Sequence, residues 1–123
     1  MALAEDLPKI VTGQVPGPKA KAILDRRDAA VPKALCGQTY PVVIERGAGP
    51  IVKDVDGNEF LDWIGGVGVL NIGYSHPEVI EAVKEQSEKY FHTIFNVICH
   101  EGYIKLAEGL NKLIPCRGDV KKT

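Results

Sequence analysis

Four glycines in the nine positions Gly65–Gly73 are the strongest constraint on what this chain folds into. Glycine has no Cβ, so it enters positive-φ backbone easily and lets other groups approach closely, and it weakens helices and strands. The run Ile64-Gly65-Gly66-Val67-Gly68-Val69-Leu70-Asn71-Ile72-Gly73 therefore reads as an irregular segment with sharp bends, built for close backbone approach. The elements on either side have to hold it in place.

On its N-terminal side the residues are those of strands. Val42, Val43 and Ile44 form one β-branched group, and Ile51, Val52 and Val55 form a second. Gly47-Ala48-Gly49-Pro50 between them is a turn signal, and Asp56-Gly57 after them is a hairpin signal, because glycine accepts the φ a tight turn needs. The segment Glu59–Trp63 alternates polar and apolar residues only roughly. Together these predict an antiparallel meander over about Pro41–Trp63.

On the C-terminal side the period becomes helical. Ser75-His76-Pro77-Glu78 reads as a capping box, with Ser75 as cap and Glu78 three residues on. Val79, Val83, Gln86 and Tyr90, with Ile80, Ala82 and Ser87, share one face. Charged residues take the other, with Glu81–Lys84 and Glu85–Lys89 as favourable pairs, and the helix is expected to fray near His92-Thr93. A last helix is predicted over Glu101–Leu113 from the spacing of Tyr103, Leu106, Ala107, Leu110, Leu113 and Ile114, with Pro115 and Gly118 to stop it. At the start of the chain, residues 1–17 have no clear period and read as a flexible arm. Pro18–Val31 reads as a weakly apolar helix with Ala22, Ile23, Arg26 and Ala30 on one side. Pro18 suits its first turn, and Pro32 ends it.

The bulk numbers narrow the functional classes. A chain of 123 residues suits one ordinary domain, not two. Its 45% hydrophobic and 25% charged residues are those of a soluble globular protein and argue against general disorder. A net charge of −1 and the absence of a long basic tract argue against nucleic acid as a partner. Ile64–Ile72 is too short and too rich in glycine to cross a bilayer. The opening Met1–Ile10 lacks the apolar core of a secretory signal. Cys36, Cys99 and Cys116 are odd in number and widely spaced, which reads as reduced thiols of a cytosolic protein.

The chemistry-bearing residues form no self-sufficient site. His76 at a helix start suits packing or capping better than catalysis, since no orienting partner stands near it in sequence. His92, Cys99 and His100 lack the paired spacing of a structural zinc site, so no metal site is expected. Adjacent residues such as Cys99 and His100 point apart, which weakens a thiolate pair. Asp54-Val55-Asp56-Gly57 resembles the opening of a calcium loop but lacks the further ligands. Gly66-x-Gly68-x-x-Asn71 lacks the third glycine of a dinucleotide fingerprint and follows a meander, and no Walker-type ending is present. Residue chemistry alone thus gives an α+β piece with a glycine-rich segment and no reaction class.

The order of these strings is more informative. Pro41-Val42-Val43-Ile44-Glu45-Arg46-Gly47, then Val52–Asp62, then Gly65–Pro77, then His92-Thr93-Ile94-Phe95-Asn96-Val97 resemble the opening of class III aminotransferases. The resemblance spans about Val31–Thr123 and is most specific over Asp54–Pro77. Members of the 4-aminobutyrate or ornithine aminotransferase kind look most similar. It implies a fold-type I enzyme dependent on pyridoxal phosphate, at least a homodimer, cytoplasmic, acting on amino acids and 2-oxo acids, with no nucleic-acid or membrane partner.

The same resemblance implies a division into a flexible arm at 1–17, an N-terminal small-domain segment with a glycine-rich crossing loop at 18–97, and the start of an α/β large domain at 98–123. It implies that Val67 and Asn96 line or approach the substrate pocket. It implies that Gly65, Gly66 and Gly68 allow close approach to cofactor, substrate or partner subunit. No catalytic residue is carried over, because the chain reaches Lys121-Lys122-Thr123 before the family's phosphate-binding turn and Schiff-base lysine. The expectation is that these 123 residues alone are inactive and only marginally stable. Two other readings stand beside it. One is a non-catalytic interaction module that binds a complete aminotransferase subunit through the apolar face of the Glu101–Leu113 helix. The other is an unrelated small enzyme using His76 or Cys99.

Overall fold

The computed structural model describes residues 7–35, 40–115 and 122. Cys36, Cys116, Gly118 and Lys121 lie outside the described residues. The chain forms two units, Met1–Ile80 and Glu81–Thr123.

The first unit is built on the expected meander. Strands β1 (Ile44–Ala48), β2 (Ile51–Asp54) and β3 (Glu59–Leu61) form an antiparallel sheet in the order β1-β2-β3. β1 begins later than its β-branched residues suggest. Its register with β2 slips between Ile44, opposite Asp54, and Arg46, opposite Lys53, which leaves Glu45 as the extra residue of a bulge. Val43 still takes part, since its carbonyl accepts from the Val55 N–H at 2.9 Å. The β2–β3 connection covers Val55–Asn58 rather than a bare two-residue turn, with Gly57 at φ +91° as the Asp-Gly signal requires.

Helix α1 (Pro18–Ala30) has Pro in its first turn and Gly17 as its N-cap residue. Glycine offers no capping oxygen, and the cap comes instead from the far turn. Asp56 accepts from the Lys19 N–H at 2.9 Å and the Ala20 N–H at 2.8 Å. A Cβ on Gly17 would sit 2.4 Å from Asp56 Cγ, so only glycine lets that carboxylate in. This docking fixes the roll of α1. Ala20 is buried and Leu24 and Arg27 are half-buried, whereas Ala22, Ile23, Arg26 and Ala30 are exposed. The side that carries Ala22, Ile23, Arg26 and Ala30 is therefore not the one turned inward, because the cap rather than the weak apolar stripe orients this helix. A short 3₁₀ turn at Lys33–Leu35 follows.

Residues ahead of α1 lie against the sheet. Lys9 and Glu59 exchange two backbone hydrogen bonds of 2.9 Å at the free edge of β3. Asn58 Oδ1 accepts from the Val11 N–H at 2.8 Å and the Thr12 N–H at 3.2 Å. The buried residues at the centre are Ala20, Val52, Asp54 and Asn58. Two of these are polar, and they satisfy one another. Asp54 Oδ1 accepts from the N–H of Asn58 at 2.7 Å and of Asp56 at 3.0 Å, and Asp54 Oδ2 accepts from Asn58 Nδ2 at 2.8 Å. Buried carboxylates persist where donors surround them.

Helix α2 (Pro77–Ser87) begins at its proline. Ser75 stands at φ +55° and precedes the cap position, so the predicted capping box does not form. The helix also stops earlier than its apolar face suggests. Gln86 Nε2 donates to the Tyr90 carbonyl at 3.0 Å, and Ser87 Oγ to the Lys84 carbonyl at 2.7 Å, which satisfies the last turn locally. Glu81 and Lys84 pair at 2.6 Å. Among the described residues no ion pair joins Glu85 to Lys89.

In the second unit, helix α3 (Glu101–Leu113) has the predicted limits, and Ile114 leaves it in extended backbone. His100 caps it, Nδ1 accepting from the Tyr103 N–H at 3.4 Å. Phe95 stacks on Tyr103 at 4.2 Å between centroids, and His100 meets Phe95 edge-on at 5.4 Å. No residue of α3 is buried, and Leu113 is 81% exposed. No helix among the described residues is long and apolar enough to cross a membrane.

Candidate functional site

The glycine-rich segment begins where β3 ends. Asp62 leaves the sheet with its N–H bonded to the Pro50 carbonyl at 2.8 Å. Its carboxylate then turns back on the chain. Oδ1 accepts from the N–H of Ile64 at 2.8 Å and of Gly65 at 3.1 Å. Gly65, Gly66, Val67 and Gly68 follow with φ of +56°, +62°, +63° and +78°. Four successive positive-φ residues make one left-handed turn, closed by bonds from the Val67 N–H to the Ile64 carbonyl at 3.0 Å and from the Val69 and Leu70 N–H groups to the Gly65 carbonyl at 2.9 Å. The chain reverts to right-handed backbone at Val69, φ −87°. The segment is thus irregular, as its glycines predict, but it is ordered by its own hydrogen bonds.

Val67 is the exception within the turn. A β-branched residue at positive φ is a true outlier, and left-handed backbone costs an L-residue about 1–2 kcal/mol. Its side chain gains little packing in return, being 88% exposed. The flanking glycines carry no side chains, so Val67 alone projects from the turn. Trp63, Val69 and Ile72 nearby are also largely exposed.

The loop closes at Tyr74. Its N–H and C=O both bond to Gly49, at 2.8 and 3.0 Å. Its hydroxyl donates to Asp62 Oδ2 at 2.7 Å. Two glycines make room for this return. A Cβ on Gly47 would sit 2.5 Å from the Tyr74 ring, and one on Gly73 would sit 2.8 Å from the Gly49 backbone. The Tyr74 hydroxyl, then the Gly65 and Ile64 N–H groups, hold the Asp62 carboxyl below its ordinary range. The same hydrogen bond, with burial and the Asp62 charge, pushes the Tyr74 phenol up. Asp62, Leu70, Ile72 and Tyr74 are among the residues that line an open groove of about 300 Å³ beneath the loop.

The other sequence candidates are placed elsewhere. Asn96 lies in the second unit, exposed, on the turn Phe95–Val97. The Nδ1 atom of His76 and the Oγ1 atom of Thr93 are buried without a hydrogen-bond partner. Cys99 is a free, exposed thiol. Among the described residues no group of three or more His, Cys, Asp or Glu side chains is placed to hold a metal ion. Asp54 and Asp56 spend their oxygens on backbone N–H groups and on the Asn58 side-chain amide, as a turn rather than a calcium loop. Sequence reasoning passed over Asp62 and Tyr74. The available signal was an aspartate two residues ahead of a glycine-rich run, the spacing at which a side chain bonds the backbone just beyond it.

Comparison with known proteins gives this geometry a context. The family described as Aminotransferase class-III matches residues 34–121. The 5-aminovalerate aminotransferase DavT of Pseudomonas aeruginosa is 49% identical over 102 residues, which cover 83% of this chain and 23% of that protein. A 4-aminobutyrate aminotransferase of Mycobacterium bovis is 42% identical over 118 residues, covering 96% of this chain and 26% of that protein. Among solved structures, an omega-transaminase from Sphaerobacter thermophilus superposes with a TM-score of 0.69 at 30% identity, over 81% of this chain and 23% of that one. The chain therefore spans about a quarter of the length of the curated relatives it matches.

Proposed function

This chain belongs to the class-III aminotransferase family, and we propose that the whole protein moves an amino group from an ω-amino acid of the 4-aminobutyrate or 5-aminovalerate kind to a 2-oxo acid. Pyridoxal phosphate is the proposed cofactor. It supplies the electron sink on which such transfers depend. The observation that carries the reading is the left-handed turn at Gly65–Gly68, which lies inside the family match and presents one apolar side chain, Val67. In this reading Val67 faces the substrate's carbon chain. Asn96 is proposed as a polar residue that meets substrate in the whole protein, and Gly65, Gly66 and Gly68 keep the turn slim enough for cofactor, substrate or a partner subunit to come close. The segment 18–97 then belongs to the small domain and 98–123 to the start of the large one. The protein is taken as a cytoplasmic homo-oligomer, at least a dimer.

The groove beside the turn does not fit the cofactor by itself. Pyridoxal phosphate needs a lysine amine and donors for a phosphate dianion. No Lys or Arg lines the groove beside the turn. Lys21, Lys84 and Lys105 are paired with carboxylates on their own helices. We therefore assign cofactor binding to parts of the whole protein that this chain's span does not include, and expect the 123 residues alone to be inactive.

The test is made on the natural protein. A mass several times 13.4 kDa, a visible chromophore that borohydride shifts, and amino transfer from 4-aminobutyrate are the expected results. A mass near 13.4 kDa with no chromophore and no transfer would contradict the reading. It would favour instead a non-catalytic module that binds a complete aminotransferase subunit, for which the exposed apolar residues of α3, Tyr103, Leu106 and Leu113, speak.

A further inference from the structure

Val67 stands in backbone that its side chain disfavours, and no packing around that side chain offsets the strain. The turn's own hydrogen bonds close it, and contacts from outside add to their hold. Within the described residues, two contacts can do so from outside it. The first is the Asp62 carboxylate, whose Oδ1 takes the two leading N–H groups of the turn, those of Ile64 and Gly65. The second is the Tyr74 hydroxyl, which holds the opposite oxygen of that carboxylate at 2.7 Å. Tyr74 is itself fixed, because both its backbone groups bond to Gly49 and its ring lies over Gly47, where a Cβ would not fit. The chain of support runs from β1 through Tyr74 to Asp62, and from Asp62 to the turn.

We propose that Asp62 and Tyr74 are positioning residues: their hydrogen bond latches the loop 62–74 shut and aims the carboxylate that holds Val67 in its left-handed, projecting pose. The functional meaning of the pose rests on the reading of Val67 as a substrate-facing residue. The latch does not.

The latch is tested by amide hydrogen exchange on the natural protein, with wild type, Tyr74→Phe, Asp62→Asn and the double variant Tyr74→Phe/Val67→Gly. Tyr74→Phe leaves the Asp62 carboxylate held only by the turn's own N–H groups, so it is expected to speed exchange at the Val67, Val69 and Leu70 amides by about severalfold. Asp62→Asn is expected to do the same at Ile64 and Gly65. The Asp54 and Val55 amides of the neighbouring hairpin should not change. Adding Val67→Gly should restore protection, because glycine accepts the positive φ without strain. A role in general folding would not produce that rescue. Unchanged exchange at 64–70, an equal loss across the hairpin, or failure of the rescue would each overturn the proposal. If exchange behaves as expected but Val67 substitutions leave the natural protein's choice of amino donor unchanged, the latch stands and the substrate-facing reading falls.

Discussion

The turn Val55–Asn58 and the loop Asp62–Tyr74 stand a few residues apart, and an aspartate organises each, yet they are opposite kinds of structure. At the first, Asp54 and Asn58 are fully buried, and their side-chain oxygens accept from at least five groups, some from the segment ahead of α1. At the second, Asp62 serves an exposed turn of positive-φ residues and is held from behind by one phenol. The first converts polar groups into a core for a unit with few buried apolar residues. The second uses a similar device to keep a strained residue on display. Strain without packing is what a site built to meet another molecule looks like, and saturation of buried polar groups is what a foundation looks like.

Substitutions can break this contrast, and the largest effect belongs to the foundation. Asn58→Ala removes the acceptor of the Val11 and Thr12 N–H groups and a donor to Asp54. At about 1–3 kcal/mol per stranded buried group, the loss should be on the order of 3 kcal/mol or more. We expect it to appear as a lower urea midpoint with the hairpin and residues 7–17 losing amide protection together. A loss confined to the hairpin would mean that those residues are not part of the foundation.

The next effect separates two roles within one turn. Asp56→Ala strips α1 of its cap and should cost about 1 kcal/mol. Gly17→Ala should cost a similar amount by pushing the same carboxylate away. Far-UV circular dichroism should report reduced helix in both, and the two substitutions together should cost little more than either alone. Additive losses would show that Gly17 matters for another reason.

Acid should act on the loop. The Asp62 carboxyl is held below its ordinary value of 3.8, so it contributes stability above that value and loses it as pH falls through the lower, folded one. Amide exchange at Ile64 and Gly65, corrected for its intrinsic pH dependence, should rise over that acid window, and Asp62→Asn should flatten the profile. At the alkaline end, the Tyr74 phenol is pushed above its ordinary 10.0, so its contribution is complete below that value and is lost as pH rises through the folded one.

The smallest effect sets the floor. Glu81→Gln removes an exposed pair with Lys84 and should change stability by only about 0.2–0.5 kcal/mol. A larger loss would mean that the solvent-facing side of α2 carries structural weight, against the view that the buried turn carries most of it.

How much of this was legible in the sequence follows the same division. β-branched residues and Asp-Gly turn chemistry are local signals, and the meander appeared where they placed it. α3 kept its predicted limits because its apolar spacing and Pro115 agree. Local signals failed where a distant group decided the outcome. The roll of α1 follows Asp56, thirty-odd positions away, and not the spacing of Ala22, Ile23, Arg26 and Ala30. The start of α2 follows the left-handed Ser75, which no capping rule anticipates. At the site, glycines announce freedom of backbone but not its hand. That Val67 shares the left-handed turn depends on Asp62 and Tyr74, whose pairing spans the loop and leaves no short-range pattern.

The central claim is that the strained turn is kept for the sake of what Val67 meets. It is tested most directly by measuring, in the natural protein and its Val67→Ala variant, the ratio of kcat/KM for 4-aminobutyrate and 5-aminovalerate. A pocket contact with one methylene is worth about 1–3 kcal/mol, so the ratio should shift by roughly tenfold or more while Tm stays where it was. An unchanged ratio, with both donors used as before, would contradict the account.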